Sequence, residues 1–162
     1  MDNLNHNQLI EIVSRSLIES KKNKFLIALS GGIDSILLLN IVNIICRSKK
    51  YQLRAIHINH KISKNANVMQ KHCVDICNNL KIDLLTKEIN DVANSNIEEN
   101  LRNKRYDLIF QSMYDDEALL LGHHNNDQIE TFLYRLFRGS SPLGLSCMDK
   151  ISKRGTNTIC RP

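Results

Sequence analysis

Phe25-Leu26-Ile27-Ala28-Leu29 is followed at once by Ser30-Gly31-Gly32-Ile33-Asp34-Ser35, and then by residues 36–45, which are apolar on almost every side. A short continuous apolar run of this kind forms a strand buried on both faces. Two adjacent glycines let the chain turn sharply. The order is strand, tight turn, buried helix.

That alternation recurs. Residues 53–58 read as a strand, a helix carrying Val68, Met69, His72, Cys73, Ile76 and Leu80 follows, and residues 82–89 are again strand. A helix over about residues 97 to 113, a strand at 118–121 and a helix carrying Ile129, Phe132, Leu133, Leu136 and Phe137 complete the pattern. The last five positions make one apolar stripe at helical spacing. Upstream, Leu9, Ile10, Val13, Leu17 and Ile18 predict an opening helix that ends in the solvated break at residues 19–24. Strands alternating with helices predict an α/β fold, a Rossmann-like parallel sheet with helices on both faces and ligands beyond the carboxyl ends of its strands.

A length of 162 residues fits one such domain. With 42% hydrophobic and 24% charged residues, neither a disordered tail nor a fibrous repeat fits. The longest apolar stretches, at 36–45 and 119–121, fall short of the roughly 20 residues of a membrane span. The opening residues lack the basic flank and apolar run of a signal peptide, so a cytoplasmic location without membrane association is expected. Five cysteines without a CxxC pair suggest buried free thiols, not disulfides or a zinc or iron–sulfur site. A net charge of +5 and a pI near 9.0 allow an anionic partner such as a nucleotide or RNA.

Three segments carry the chemistry. Residues 30–35, 57–60 and 123–130 each lie at or just beyond the end of a predicted strand and should face one crevice. In the first, the glycine amides, the hydroxyls of Ser30 and Ser35 and the positive end of the next helix make a site for phosphate oxygens. The GxxxxGKS/T loop and the GxGxxG pattern are both absent, which disfavours a P-loop kinase or a Rossmann dehydrogenase. Asp34 among phosphates calls for an intervening cation, which magnesium supplies. A plain strand-to-helix turn with a cap stays open as the alternative.

Asp127 and Glu130, three apart on a predicted helix, share a face suited to a cationic ligand, or else they complement the helix dipole. His123 and His124 point to different sides of a strand end, so one is expected to contact the nucleotide and the other to pack. His57 reads as structural more than His60, and His72 as a core histidine. Arg102 and Arg105 offer guanidinium groups to phosphates, or form a solvated basic face; Arg135 and Arg138 pose the same choice, with Arg138 favoured by the turn that follows it.

Ser-Gly-Gly-x-Asp-Ser after a buried strand resembles the pyrophosphate-binding motif of the N-type ATP pyrophosphatases, or PP-loop superfamily, which cleave ATP between the α and β phosphates and adenylate a substrate. Later motifs resemble those of tRNA(Ile)-lysidine synthetases. His57-Ile58-Asn59-His60 is similar to their HxNH element, and Asn96 to Arg102 followed by Arg105-Tyr106 to their NxExxxR…RY helix. Residues 123–131 are similar to HHxDDQxET, Arg135 to Gly139 with Gly144-Leu145 to RLxRG…GL, and Arg161-Pro162 to the start of RPL. The resemblance covers roughly residues 24 to 162.

It implies an adenine nucleotide alpha hydrolase-like fold: a helix and connection over 1–23, a PP-loop catalytic domain over 24–162, and further catalytic and tRNA-recognising parts beyond this sequence. It implies ligation of lysine to C2 of the wobble cytidine of an isoleucine tRNA, through an adenylated cytidine, with release of AMP and pyrophosphate. ATP would be held by Ser30, Gly31, Gly32, Ile33, Asp34, Ser35, His60, His123, Arg102 and Arg138. Asp34 would also hold magnesium, with Asp127 and Glu130 binding lysine and accepting its proton. A homodimer is left open. Asn126 stands where the family has the first Asp of DDQ, and Lys61-Ile62-Ser63 where it has an Arg. A sister tRNA thiolase, disfavoured by the missing CxxC, and a noncatalytic nucleotide-binding fragment are the alternatives.

Overall fold

The structure, a computed structural model, describes residues 6–61, 64–89, 97–122 and 150–162, without the side chains of Ile97 and Glu98. In chain order the elements are α1 (His6–Glu19), β1 (Lys24–Leu29), α2 (Ile33–Lys49), β2 (Gln52–Asn59), α3 (Ala66–Leu80), β3 (Asp83–Glu88), α4 (Ile97–Gln111), β4 (Glu117–Leu121), β5 (Ile151–Arg154) and β6 (Asn157–Cys160). The expected strands are present, with ends shifted by at most one residue. The expected helix over 129–137 lies outside the described residues.

The six strands form one sheet in the order β3-β2-β1-β4-β6-β5. Continuous apolar runs fill its centre: the four pairings among β3, β2, β1, β4 and β6 are all parallel, and every residue of β4 is buried. Alternate residues of β1 feed two cores. Phe25, Ile27 and Leu29 pack with Leu38, Leu39 and Val42 of α2, Leu17 of α1 and Cys73 of α3. Leu26 and Ala28 face the other way, toward Ile109 of α4. Helices therefore cover both faces, as the alternation predicts.

The hairpin β5–β6 was not legible beforehand and corrects the expectation of a wholly parallel sheet. β5 runs antiparallel to β6 at the edge, with Arg154 opposite Asn157. Gly155 occupies the left-handed region at φ 61 while Thr156 does not, the arrangement of a two-residue II′ turn. His72 is a second correction. It is exposed, as is Val68, because the buried stripe of α3 runs through Met69, Cys73, Ile76, Cys77 and Leu80 instead. Residues 68 and 72 sit one position off that stripe.

Cys46, Cys73, Cys77 and Cys160 are free and buried. Burial pushes the Cys46 thiol up to about 12 and the other three to about 11, which keeps them protonated and inert. Cys147 lies outside the described residues.

At the opposite end of the sheet from the carboxyl edge, Arg54 of β2 reaches across β1 to Glu117. Its Nε and Nη2 donate to the two carboxylate oxygens at 2.6 and 2.8 Å. Nη2 also donates to the Ser112 carbonyl at 2.6 Å, and the guanidinium lies 4.0 Å from the Tyr114 ring centroid. This cluster ties β2 to the start of β4.

Candidate nucleotide-binding site

Consecutive parallel strands diverge from β1, with β2 on one side and β4 on the other. The crevice outside the carboxyl ends at such a reversal is where open α/β sheets hold ligands. Residues 30–35 lie there. Gly31 adopts φ +85, and a Cβ on it would come within 3.0 Å of Met69 Cε and 3.5 Å of Cys73 Sγ. Gly32 is the N-cap of α2, with no side-chain cap.

The serine hydroxyls brace this turn. Ser35 Oγ donates to the Gly32 carbonyl at 2.9 Å and accepts from the Ser30 amide at 3.3 Å, with Ser30 Oγ 3.1 Å away. Ser30 Oγ in turn accepts from the Gly32 amide at 3.2 Å. Ser35 is buried, Ser30 and Ile33 are exposed, and Asp34 is half-buried in the first turn of α2. Sequence alone made both hydroxyls ligand donors; their first task here is to hold the turn's shape.

We expect Gly31→Ala to lower stability by about 1–3 kcal/mol, because the left-handed backbone strains any L side chain, and to weaken nucleotide binding. Thermal unfolding and equilibrium dialysis with ATP measure the two.

Gly122 is a residue that sequence reasoning passed over. It ends β4 against the first turn of α2: an added Cβ would lie 3.4 Å from Ser35 Cα and 3.5 Å from Ser35 N. A glycine closing an apolar strand before His123 was the available signal.

Beside the turn opens a cavity of about 180 Å³ lined by Ser30 and by His57, Asn59, His60, Met69 and Arg105 among others. His57 Nδ1 lies 2.9 Å from the Leu29 carbonyl. Asn59 is 1% exposed and fully used: its amide nitrogen donates to Asn67 and Gln70, and its side-chain oxygen accepts from the Lys61 amide. It fastens the end of β2 to α3. Lys61 pairs with Glu88 at the end of β3.

Of the two α4 arginines, Arg105 lines the cavity. Arg102, chosen ahead of it from sequence as the nucleotide ligand, is exposed, with its guanidinium 5.8 Å from the Tyr106 ring centroid. His123, His124, Asn126, Asp127, Glu130, Arg135 and Arg138 lie outside the described residues.

Burial lowers both histidine pKa values and the Arg105 charge adds to this, while at His57 the bond to the Leu29 carbonyl partly opposes it; burial likewise pulls Arg105 down. The unfolded chain takes up these protons near the ordinary 6.5, the folded chain only at lower pH. Stability contributed by the neutral imidazoles is therefore complete above 6.5 and is lost as the pH falls from there through the folded values. Melting temperature is expected to fall over that interval, and to fall less in His57→Asn; parallel slopes in the two proteins would contradict this.

Asp34 supplies one hard oxygen donor next to the amide-rich turn. That fits magnesium, which needs one or two carboxylates when phosphates complete its shell.

Fold, turn and cavity together define a nucleotide-binding α/β domain of the PP-loop class. The PP-loop domain model matches residues 3–162, and the chain belongs to that family of ATP-binding domains. It is 43% identical over 152 residues to the tRNA(Ile)-lysidine synthase of Buchnera aphidicola subsp. Schizaphis graminum, covering 93% of this chain and 34% of that protein. The corresponding enzyme of Buchnera aphidicola subsp. Acyrthosiphon pisum is 46% identical over 154 residues, 91% of this chain and 34% of its own. That of Coxiella burnetii is 39% identical over 145 residues, 88% and 32%. The chain thus spans about a third of the length of these curated relatives. In fold it is similar to a U34-tRNA thiolase of Methanococcus maripaludis, with a TM-score of 0.69 at 18% identity over 98% of this chain and 60% of that one.

Proposed function

We propose that this chain is the ATP-binding, adenylating part of a ligase that joins lysine to C2 of the wobble cytidine in an isoleucine tRNA. The observation that carries the reading is the serine-braced Gly31-Gly32 turn at the strand-order reversal, in a chain about 40% identical to lysidine synthases over most of its length. Residues 24–162 form the proposed PP-loop catalytic domain and 1–23 its leading helix and connection. The remaining catalytic and tRNA-recognising parts belong to further polypeptide.

Attack of the cytosine C2 oxygen on the α-phosphorus forms the adenylated base and expels pyrophosphate; attack of the lysine amine at C2 then expels AMP. Negative charge collects on the departing β and γ oxygens; the Gly31 amide and the α2 N-terminus are proposed to stabilise it, joined by the Gly32 amide once that exchanges its bond to Ser30 Oγ for a phosphate oxygen. Asp34 is the residue proposed to hold magnesium, whose charge offsets the phosphates. Ser30, Ile33 and Ser35 shape the phosphate turn, while His60, His123 and Arg138 are proposed nucleotide contacts together with an α4 arginine, Arg105 at the cavity or the exposed Arg102 beyond it. Asp127 and Glu130 are proposed to bind the lysine ammonium and accept its proton.

No described helix is long and apolar enough to cross a membrane. A cytoplasmic location and a homodimer, testable by sedimentation, belong to the same proposal.

The test supplies the purified protein with ATP, magnesium, lysine and unmodified isoleucine tRNA. Incorporation of lysine with stoichiometric AMP release is expected. ATP binding without either product, here and in a longer natural chain, would overturn the ligase reading. It would favour a noncatalytic nucleotide-binding domain, the reading that Asn126 supports by removing a family carboxylate.

A further inference from the structure

Asn59, at the end of β2, is 1% exposed and commits its whole side chain to its neighbours. The Lys61 amide can only donate, so the side-chain atom 2.8 Å from it is the oxygen. That fixes the orientation of the Asn59 amide. Its nitrogen donates to Asn67 Oδ1 at 3.1 Å and to Gln70 Oε1 at 2.8 Å, so both partners serve as acceptors. The Asn59 carbonyl is engaged as well, receiving the Ile89 amide at 3.0 Å just past β3. One residue thereby joins the ends of β2 and β3 to the first turns of α3.

The corner made in this way is strained, and it encloses His60. Lys61 sits in the left-handed region at φ 54, a conformation that persists in a residue with a side chain only where its surroundings over-determine it. Here the bond from its amide to Asn59 Oδ1, an Asx-turn, and its ion pair with Glu88 do so. His60 lies between the two tied residues and lines the cavity beside the phosphate turn. Its Nδ1 is buried without a hydrogen-bond partner among the described residues. That nitrogen does not anchor the ring, so the direction of the ring is left to the backbone that Asn59 holds.

We propose that Asn59 is a positioning residue for nucleotide binding: its side-chain amide locks the corner over residues 59–61 and so holds His60 where it meets the nucleotide. The proposal rests on the ATP reading and on the His60 contact within it, and adds the residue on which that contact depends. Asparagine suits the task because it offers an acceptor to Lys61 and donors to α3 from one short side chain.

Equilibrium dialysis with ATP and magnesium, well below the melting range, tests this. Asn59→Leu keeps a similar volume and deletes every side-chain hydrogen bond; it is expected to lose about tenfold in ATP affinity. His60→Ala is expected to lose a similar factor. The double variant should lose no more than His60→Ala alone, because a residue that acts through His60 then has nothing left to position. Gln70→Glu still presents an oxygen to the Asn59 amide and should bind ATP as the wild type does. Gln70→Leu combined with Asn67→Ala strands the buried donor and should lose about threefold or more. A merely structural brace would lower the melting temperature of Asn59→Leu without producing this coupling to His60. Wild-type affinity in folded Asn59→Leu, losses that multiply in the double variant, or unchanged affinity in His60→Ala would each overturn the inference and leave the ATP reading intact. Absence of ATP binding by the wild type would overturn the ATP reading itself, and the inference with it. Should Asn59→Leu not fold, the Gln70→Leu and Asn67→Ala combination decides: wild-type affinity once both acceptors are gone would overturn the proposal.

Discussion

Asp34→Ala is expected to lower ATP-dependent AMP release by about 10²–10³-fold, the range seen when one group that stabilises transition-state charge is deleted. The reason is local. Asp34 stands in the first turn of α2, one residue past the Gly31-Gly32-Ile33 backbone and half-buried beside it. A carboxylate there would repel the phosphate oxygens unless a cation lies between, so its presence makes sense as a cation-holding group. Folding depends on it little: an acidic side chain at a helix N-terminus contributes about 0.3–1 kcal/mol. The melting temperature should therefore stay within a few degrees of wild type. Asp34→Asn, which keeps the size and removes the charge, should lose nearly as much AMP release as the alanine variant. Unchanged AMP release in either variant would remove Asp34 from the proposed magnesium site. A fall in activity matched by a fall in melting temperature would instead show a structural role.

What could be read from the chain beforehand divides by the range of the interactions involved. The central strands and the phosphate turn were legible because their signals are contiguous: an unbroken apolar run can only be buried on both faces, and Gly31-Gly32 directly after it forces a turn there. The cavity was less so. Arg102 and Arg105 are three residues apart on one helix and chemically identical, and their assignment depends on how α4 is rotated against the sheet, set by Ile109 and its partners on β1, β2 and β4. The same holds for His57, whose structural reading its burial and its contact with the Leu29 carbonyl bear out. Its bond to Leu29, a residue 28 positions away, follows from strand register, in which Leu29 pairs with His57. Asn59, to which the HxNH pattern by itself gives no role, is a brace through its contacts to Asn67, Gln70 and Lys61. The edge hairpin escaped because four-residue strands with mixed polarity carry too little periodicity, although Gly155 marked the turn. His72 failed for a smaller reason: a stripe placed one position off moves a flanking residue from core to solvent.

Glu117→Ala is expected to cost about 3 kcal/mol, toward the low end of the 3–5 kcal/mol range for breaking a buried pair, since it leaves a charge without its partner. The low end applies because exposure is unequal: the Glu117 side chain is 3% exposed but that of Arg54 is 21%, so the orphaned guanidinium keeps some water. The substitution also strips the Tyr114 amide of its acceptor at 2.9 Å. For a domain of this size the loss corresponds to a fall in melting temperature of about 6–12 °C. Glu117→Gln, which retains an acceptor for Arg54, should lose less. The double variant Arg54→Met with Glu117→Leu should recover much of the loss, because it removes the charge that the single substitution strands. Nucleotide affinity separates this from a site effect. Glu117 opens β4 and pairs with Lys24 at the start of β1, whereas the phosphate turn begins after Leu29 at the other end of that strand. ATP affinity of the folded Glu117→Ala protein should thus equal that of wild type. Urea unfolding and ATP titration below the melting range test both halves: a stability change under about 1 kcal/mol would mark the pair as no stronger than a surface salt bridge, and a matching loss of ATP affinity would show that the two ends of the sheet are coupled.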